Sequence, residues 1–501
     1  MESSAGPSWT GSIRPPTDLL LTREAGATTL VHGLWSLSLR GTELDDITYD
    51  GVPVLRSIRL IVRDEDWGTL PMQLDGAERP RGLGTGSVLT LRGRAGGGVG
   101  VCSWSLSVRI DVGALEVAAR VEATSRFRRN RLGLIVLHPP QLAGRPFTVG
   151  HPDGSATSTV FPERVSPHQP ARDIAALSWR AGAGDHRPAV DSVLRFSGDV
   201  FEMEDQRNWT DASYKTYSTP LSIPFPVQLE PGTVIEQAVE LQCASADLLD
   251  SPTHDGGRER PARARATFGP PDATVRLPEI TTSVSSGPAM GAPIPVTFGP
   301  LLCELDPATA NWRAVLDRAV TESGGLPLDL RLTVGQAEET EPVLDRLLDA
   351  GAATARVGVF DRRTHLSEPG LLADVRKRLD DRGIAAELLG GTRAHFTELN
   401  RNHSRLREWD GPLTFSITPF MHDRGGHQLV ESLAMQRLVV REALAIADGR
   451  PVHVGPITLG ARFNAVATSA PPVPRSDTLD EGFGPELVEG ATDIRQAARS
   501  L

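Results

Sequence analysis

The hydrophobic pattern of the sequence changes at a polar stretch in the middle of the chain, residues 250–271. This stretch is rich in Pro, Gly, Asp and Arg, which is typical of a linker between domains. Before it, short runs rich in Val, Leu, Ile, Thr and Ser are separated by Gly, Pro and Asp. From Trp104 to Ile110 every second residue is apolar, a pattern that indicates a strand with one buried face. More than ten such runs predict a large antiparallel β-sandwich.

After the linker, strand-like runs such as Leu328–Val334 alternate with helical patterns such as Leu429–Ala447. This order indicates parallel βαβ units, which form a TIM-type barrel when eight of them close in about 250 residues. We find about seven strand candidates, beginning with Ile280–Val284 and Ile294–Phe298. The sequence therefore predicts a TIM-type (β/α) barrel that is incomplete.

The length of 501 residues exceeds what one hydrophobic core usually organises. We predict a multidomain protein of β plus α/β class. Its parts are an N-terminal tail (1–27), an antiparallel β-sandwich domain (28–249), a linker (250–275), a barrel domain (276–470), and a Pro-rich segment with a terminal helix (471–501).

The composition excludes several classes of partner. A net charge of -11 argues against nucleic-acid binding and against binding to anionic membranes, which both use clustered positive charge. No apolar stretch approaches the roughly 18 residues that span a bilayer. The three cysteines are far apart, and the N-terminus lacks a basic start followed by an apolar segment. We expect a cytoplasmic protein without disulfides, and the sequence gives no oligomeric state.

The most unusual stretch is residues 201–217, in which charged side chains alternate with large aromatic rings. Such a mixture suits a site for a polar, ring-shaped ligand. The alternative is a strand and turn whose charges pair with one another. The candidate site residues of this stretch are Glu204, Asp205, Arg207, Asn208, Trp209, Asp211 and Lys215.

Further candidates lie on predicted loops. His168 lies between two prolines, whose rings hold the loop rigid. Polar residues also follow the predicted barrel strands, at the end where barrel enzymes build their active sites. Those candidates are Glu398, Asn400, His422, Arg462 and Asn464.

Several kinds of catalysis lack their motifs in this sequence. There is no Gly-x-Ser-x-Gly and no His-Glu-x-x-His. The spacing of His395, Glu398 and His403 matches no strong metal pattern, so we predict no metal and no cofactor. Carboxylate and histidine chemistry remains, which serves ester or lactone hydrolysis and glycoside hydrolysis equally.

Several motifs together resemble the bacterial D-apionate lactonase family. The most specific is the stretch 201–217 itself. The others are Tyr49-Asp-Gly-Val-Pro-Val-Leu-Arg, Arg63-Asp-Glu-Asp-Trp-Gly-Thr, Leu137-His-Pro-Pro with Ala143-Gly-Arg-Pro, Phe161-Pro-Glu-Arg-Val-Ser-Pro-His-Gln-Pro, Gly391-Thr, Phe396-Thr-Glu-Leu-Asn-Arg, Gly455-Pro-Ile-Thr-Leu and Arg462-Phe-Asn-Ala-Val-Ala-Thr.

The resemblance implies a β-sandwich, a TIM-type barrel and a small C-terminal β domain. The implied reaction opens the lactone of D-apionate, a branched sugar acid, in the catabolism of the plant sugar apiose. The family's barrel continues past the Arg462 motif with another helix, an eighth strand and the C-terminal domain. The present chain ends soon after that motif, so we expect these parts to be missing.

The resemblance carries no catalytic residues over, so the roles come from the residues themselves. Glu204 or Glu398 is expected to activate water. Arg207, Lys215 or Arg462 would stabilise the developing oxyanion. The ring of a small-molecule sugar lactone would be held by the remaining candidates, Asn208, Trp209, Asn464, Asp205, Asp211, His168, Asn400 and His422. The alternatives are a glycosidase-like enzyme with two carboxylates and an inactive carbohydrate-binding homologue.

Overall fold

The protein is described by a computed structural model that covers residues 27–78, 88–98, 100–182, 189–245, 279–284, 299–423 and 426–466. The predicted tail, apart from residue 27, lies outside these ranges, as do the linker 250–275 and the terminal segment 471–501. The predicted domain boundaries therefore stay predictions.

The first part of the described chain consists almost entirely of strands. They are β1 (Thr28–His32), β2 (Trp35–Arg40), β3 (Glu43–Tyr49), β4 (Val52–Asp64), β5 (Met72–Glu78), β6 (Val88–Ala95), β7 (Cys102–Ile110), β8 (Ala114–Ala123), β9 (Phe127–His138), β10 (Pro146–Gly150), β11 (Ala156–Val160), β12 (Ala171–Ile174), β13 (Ala176–Ala181), β14 (Val190–Ser197), β15 (Phe201–Asp205), β16 (Tyr214–Tyr217), β17 (Val227–Leu229) and β18 (Val234–Ser245). Short 3-10 helices cover Pro140–Leu142 and Gln206–Trp209.

These strands form two antiparallel sheets around one core. The first sheet has the order β1-β2-β3-β4-β9-β16-β15-β12, with β17 beside β9. The second has the order β11-β10-β13-β14-β18-β8-β7-β6-β5. One cluster of buried side chains includes Trp35 from the first sheet and Trp104 from the second, so the two sheets pack together. The alternation in β7 is confirmed, because Trp104, Leu106, Val108 and Ile110 are buried while the residues between them are less so.

The second part of the chain alternates strands and helices. Its elements are β19 (Leu301–Leu305), α1 (Trp312–Glu322), β20 (Leu328–Val334), α2 (Glu341–Asp349), β21 (Thr354–Asp361), α3 (Pro369–Asp381), β22 (Glu387–His395), α4 (Phe396–Asn402), β23 (Leu413–Ile417), α5 (Gly426–Ala447) and β24 (Val452–Ile457). Two 3-10 helices cover Ala337–Thr340 and His403–Leu406. Over the ranges that the structure describes, no helix is both long and apolar enough to cross a bilayer.

The strands β19 to β24 pair in parallel in chain order, as in part of a (β/α) barrel. The predicted strand Ile280–Val284 is represented only by a parallel bridge, in which the Val284 amide donates to the Leu302 carbonyl at 2.8 Å. The predicted strand Ile294–Phe298 lies outside the described residues, and β19 follows it. The alternating β/α pattern is confirmed, whereas the incompleteness of the barrel stays a prediction.

The two parts are joined by polar contacts between β4 and the region around the start of α5. Arg59 donates to Asp423 at 2.9 Å, and Arg56 donates to the Gln428 side-chain oxygen at 3.0 Å. Arg59 is buried and also lies 3.3 Å from Asp45. These contacts place the first sheet against the edge at which β22, β23 and β24 end.

Candidate active site

A cavity of about 950 Å³ lies between the first sheet and the carboxyl-terminal ends of the barrel strands. The sheet side is formed by β4, β9, β15 and β16, and the barrel side by the residues after β22, β23 and β24. Both sides contribute ionisable and aromatic groups. Those on the lining are Arg63, Trp67, Arg131, Glu204, Trp209, Lys215, Tyr217, Phe225, His395, Arg401, Phe420, His422 and Phe463.

Glu204 and Lys215 form an ion pair on the sheet side. They are directly opposite each other in the antiparallel pair of β15 and β16, so their side chains share a face. Lys215 Nζ lies 2.6 Å from Glu204 Oε2, and Trp209 Nε1 donates to Glu204 Oε1 at 3.2 Å. Burial opposes ionisation of Glu204, but Lys215 and Arg401 outweigh burial and lower the pKa of Glu204 to about 2. Glu204 is therefore an anion that binds a proton weakly.

Asp211 and His422 form a second pair, which joins the two domains. Asp211 follows the 3-10 helix Gln206–Trp209, and its Oδ2 accepts from His422 Nδ1 at 2.6 Å. Gln428 Nε2 donates to Asp211 Oδ1 at 2.6 Å, so both oxygens of this buried carboxylate are occupied. Because Nδ1 carries the proton that Asp211 accepts, Nε2 of a neutral His422 ring keeps its lone pair. His422 is thereby held with a fixed ring orientation on the cavity lining, an arrangement that suits a general base.

Aromatic and imidazole rings surround these two pairs. The Trp209 ring lies 5.8 Å from the His422 ring and 5.3 Å from the His395 ring, measured between centroids. Burial, together with the nearby Arg462, lowers the pKa of His395 to about 3, so this ring is neutral near pH 7. Trp209 and the neutral His395 thus place two rings, tilted by 58° to each other, on the cavity lining, where the face of the Trp209 ring suits packing against a sugar ring.

Two family models cover most of the chain. The D-apionate lactonase N-terminal domain matches residues 20–246, and the D-apionate lactonase TIM barrel domain matches residues 292–479. The D-apionate lactonase of Brucella anthropi is 31% identical over 475 residues, which is 88% of this chain and 74% of that protein. The chain belongs to the D-apionate lactonase family.

Solved structures give only weak likenesses for this family member. A putative aldose 1-epimerase from Escherichia coli K12 is 12% identical, with a TM-score of 0.27 over 44% of this chain and 99% of that one. The GH36 α-galactosidase AgaB from Geobacillus stearothermophilus is 11% identical, with a TM-score of 0.30 over 86% of this chain and 71% of that one. Neither likeness has a bearing on the fold or the function.

The remaining candidates of the stretch 201–217 lie behind the cavity. Arg207 donates to both oxygens of Asp205, and to the Pro162 carbonyl at 2.7 Å. It further donates to the carbonyls of Glu163 and Arg164, and its guanidinium packs on the Tyr214 ring at 4.5 Å. Neither Asp205 nor Arg207 is on the cavity lining. This pair holds a loop in place, so the geometry argues against the oxyanion role expected for Arg207 and the ligand contact expected for Asp205.

Asn208 and Asn400 also lie outside the cavity lining, where they connect the two domains. Asn400 Nδ2 donates to Asn208 Oδ1 at 2.9 Å and to the Val165 carbonyl at 3.0 Å. Asn208 in turn donates to the Ser166 carbonyl at 2.5 Å. His168, in the same loop, is exposed and is not on the lining. The contacts of the two asparagines account for their polarity without a ligand.

Glu398 is partly buried in the first turn of α4 and is not on the cavity lining. Its Oε2 atom is enclosed and has no hydrogen-bond partner among the described residues. Burial raises the pKa of Glu398 to about 7, against the opposing charge of Arg401. The geometry therefore favours neither a water-activating role for Glu398 nor contact with the ligand.

Arg462 and Asn464 follow β24 and have different surroundings. Arg462 forms an ion pair with Glu304 and donates to the Arg393 carbonyl at 2.6 Å, away from the cavity lining. Asn464 is on the lining and donates to the Asp66 carbonyl at 2.6 Å. Of the sequence candidates, the structure brings together Glu204, Lys215, Trp209, Asp211, His422 and Asn464 at or beside the cavity.

Sequence reasoning missed several residues of the lining. Arg63 lies in a motif that carries the family resemblance, and His395 immediately precedes another, so both could have been chosen. Tyr217 ends the stretch 201–217 and could have been chosen as well. Arg131 gave no comparable signal, because a basic residue in a strand is compatible with many roles. In the described ranges, no group of three or more His, Cys, Asp or Glu residues is arranged to hold a metal ion.

Proposed function

We propose that this chain is a lactonase, which hydrolyses the lactone of a sugar acid, with D-apionolactone as the substrate and D-apionate as the product. The observation that carries the proposal is the Asp211–His422 pair, which orients an imidazole base on a cavity beside the Lys215 ammonium group. Membership of the family and the name of the Brucella anthropi relative support this choice of substrate.

The proposed reaction uses one water molecule. His422 Nε2 takes a proton from water as the water oxygen bonds to the lactone carbonyl carbon. Lys215 and Arg63 stabilise the negative charge that develops on the carbonyl oxygen. The bond between the carbonyl carbon and the ring oxygen then breaks, and His422 returns its proton to that oxygen. The products are one carboxylic acid and one hydroxyl group in a single open chain.

Glu204 has a different role in this proposal from the one expected from the sequence. A carboxylate with a pKa of about 2 is a poor base near neutral pH. It instead keeps the buried Lys215 charged, because burial alone lowers the pKa of Lys215 and Glu204 opposes that shift. The ring of the ligand packs against Trp209, and Asn464 is a further polar residue on the same lining.

The test is acid release from D-apionolactone, followed at constant pH. We expect His422→Gln and Asp211→Asn to lower kcat by about 100-fold or more, because each removes the oriented base. His151→Gln, at a half-buried histidine outside the cavity lining, serves as the control and keeps the wild-type rate. Absence of acid release by the wild-type protein would refute the proposal, and lactone binding without turnover would favour a carbohydrate-binding homologue.

A glycoside hydrolase mechanism is less well supported. It requires two carboxyl groups that face each other across the scissile bond. Among the described lining residues the carboxylate is Glu204, which is engaged by Lys215. Measurement of activity on an aryl apioside separates this alternative from lactone hydrolysis.

A further inference from the structure

Arg131 lies on the cavity lining in surroundings that differ from those of the proposed reacting groups. It is on β9, and its side chain is 97% buried, since its relative exposure is 3%. Lys215 is opposite Leu137 on the same strand. Leu137 and Arg131 are six positions apart on β9, which separates their backbones by about 20 Å at roughly 3.3 Å per residue. Arg131 therefore contributes to the lining at a different position along β9 from Lys215.

The guanidinium of Arg131 has one occupied and one unoccupied edge. Nη1 donates to the backbone and side-chain oxygens of Asn130, both at 3.0 Å. Nε and Nη2 are enclosed and have no hydrogen-bond partner in the part of the chain that the structure describes. These two nitrogens form the edge that binds the two oxygens of a carboxylate in parallel. Burial of charged donors without partners is energetically unfavourable, and a bound carboxylate would remove that penalty.

Two aromatic rings hold the guanidinium in place. It lies 5.0 Å from the centre of the Trp67 ring and 5.1 Å from that of Phe225. Trp67 has a φ of +68°, a left-handed conformation that is unfavourable for a tryptophan. The turn is maintained by Asp64, whose Oδ1 accepts the Gly68 amide at 2.7 Å. Phe225 is 36% exposed, so the guanidinium lies beneath a ring at the solvent-facing side of the cavity.

No described carboxylate forms an ion pair with this arginine, although the charge of Glu202 acts on it from a distance. Glu202 is near it in the sheet, but Oε1 of Glu202 accepts from the Tyr217 hydroxyl at 2.5 Å and from the Leu221 amide at 2.7 Å. Arg63 adds a second positive charge to the same lining. This local excess of positive charge occurs in a chain with a net charge of -11.

We propose that Arg131, between Trp67 and Phe225, binds a carboxylate group at a subsite of the cavity distinct from the Asp211–His422 pair. The ligand class is a hydroxy acid or an acidic lactone, and this choice rests on the proposed function. The carboxylate comes either from the free acid that ring opening produces or from a substituent that the lactone itself carries. The two carboxylate oxygens accept hydrogen bonds from Nε and Nη2 of Arg131, and the negative charge pairs with the buried guanidinium.

The test compares the full-length wild-type protein with Arg131→Met and Arg131→Lys. Calorimetry with D-apionate measures binding of the free acid, and the Trp fluorescence change reports contact near Trp67. KM for D-glucaro-1,4-lactone, an acidic lactone, is compared with KM for the neutral D-apionolactone. The control is Arg128→Met, an exposed arginine on the same strand that forms an ion pair with Glu65.

We expect both Arg131 variants to weaken D-apionate binding about tenfold or to raise KM for the acidic lactone about tenfold, with KM for the neutral lactone within about twofold. The first result identifies the free acid as the source of the carboxylate, and the second identifies the acidic substrate. Calorimetry needs no turnover, so an inactive protein that binds D-apionate through Arg131 refutes only the lactonase proposal. Unchanged binding and KM in folded Arg131 variants, or no carboxylate binding by the wild type, overturns the subsite.

Discussion

At the scale of single residues, the two pairs on the cavity show how burial and partners set the charge of a group. Lys215 is buried, which alone would favour its neutral form. Glu204 at 2.6 Å supplies the opposite charge, and Asp211 would do the same for an imidazolium on His422 in the proposed reaction. In that proposal the two carboxylates support the groups that act on the substrate.

The Glu204–Lys215 pair gives a prediction for stability. Glu204→Gln leaves a buried ammonium group without its counter-charge, and we expect a loss of roughly 3 kcal/mol in the free energy of unfolding at pH 7. The pKa of Glu204 is lower in the folded protein than its unfolded value of about 4.5, so its carboxylate stabilises the folded protein above that pH. This stabilisation is lost as the pH falls towards about 2. Urea unfolding should show that the difference in free energy of unfolding between wild type and variant decreases over that pH range. A gap that is constant with pH would contradict this account, and Glu65→Gln is the exposed control.

Glu398 gives the opposite pH dependence. Its raised pKa means that the folded protein holds the proton more tightly, so Glu398 lowers stability as the pH rises from about 4.5 to about 7. We expect Glu398→Gln to stabilise the protein by on the order of 2 kcal/mol at pH 8 and to have little effect at pH 4. Thermal unfolding at both pH values measures this, with exposed Glu408→Gln as the control. Destabilisation at pH 8 would show that the Glu398 carboxylate has a partner.

At the scale of elements, the short helix α4 connects the two domains. Thr397 donates to the Asn208 carbonyl at 2.9 Å, and Arg401 donates to the Pro167 carbonyl at 3.0 Å. Together with Asn400, these residues bind the 3-10 helix Gln206–Trp209 and the loop that Arg207 also holds. Trp209 is the last residue of this 3-10 helix and Asp211 comes two positions later, so α4 helps to position both groups of the site.

Asn400→Ala tests this role. It removes the donor to Asn208 and Val165 and leaves buried acceptors unpaired, which should cost about 2 kcal/mol in unfolding free energy. We also expect kcat for the lactone to fall several-fold, with a smaller change in KM. Asn402→Ala is the matched control, because Asn402 donates only within its own helix, to the Glu398 carbonyl. Equal effects of the two substitutions would argue against a role for α4 in positioning the site.

The element β22 shows why the end of a strand is difficult to predict. The glycines and polar residues from Gly390 onwards are typical of a loop, but β22 continues to His395. Gly391 has a φ of +124°, and a Cβ atom there would lie 2.2 Å from the Thr414 carbonyl oxygen. The glycines therefore permit close contact with β23 and do not mark the end of the strand.

At the scale of the whole molecule, periodicity predicts the antiparallel and parallel parts because side-chain alternation reflects burial directly. The site is less predictable, since its pairs join distant residues. Asp211 and His422 are 211 positions apart, and no local spacing indicates their contact. Arg207 is of a residue type that often acts in catalysis, yet its nitrogen donors bind Asp205 and the backbone carbonyls of a loop. The sequence alone does not indicate which residues a charged side chain in a motif will contact in the folded protein.

Asp211 belongs to one domain and His422 to the other, which has a consequence for protein engineering and for recombination between related genes. A chimaera that takes its first half from one relative and its second half from another must bring a matching acid and imidazole together, along with the Asn208–Asn400 contact beside them. Either half can be exchanged only for one whose residues preserve these contacts between the domains. The boundary between the domains is therefore a poor crossover point for shuffling, although the predicted linker 250–275 makes it the obvious choice.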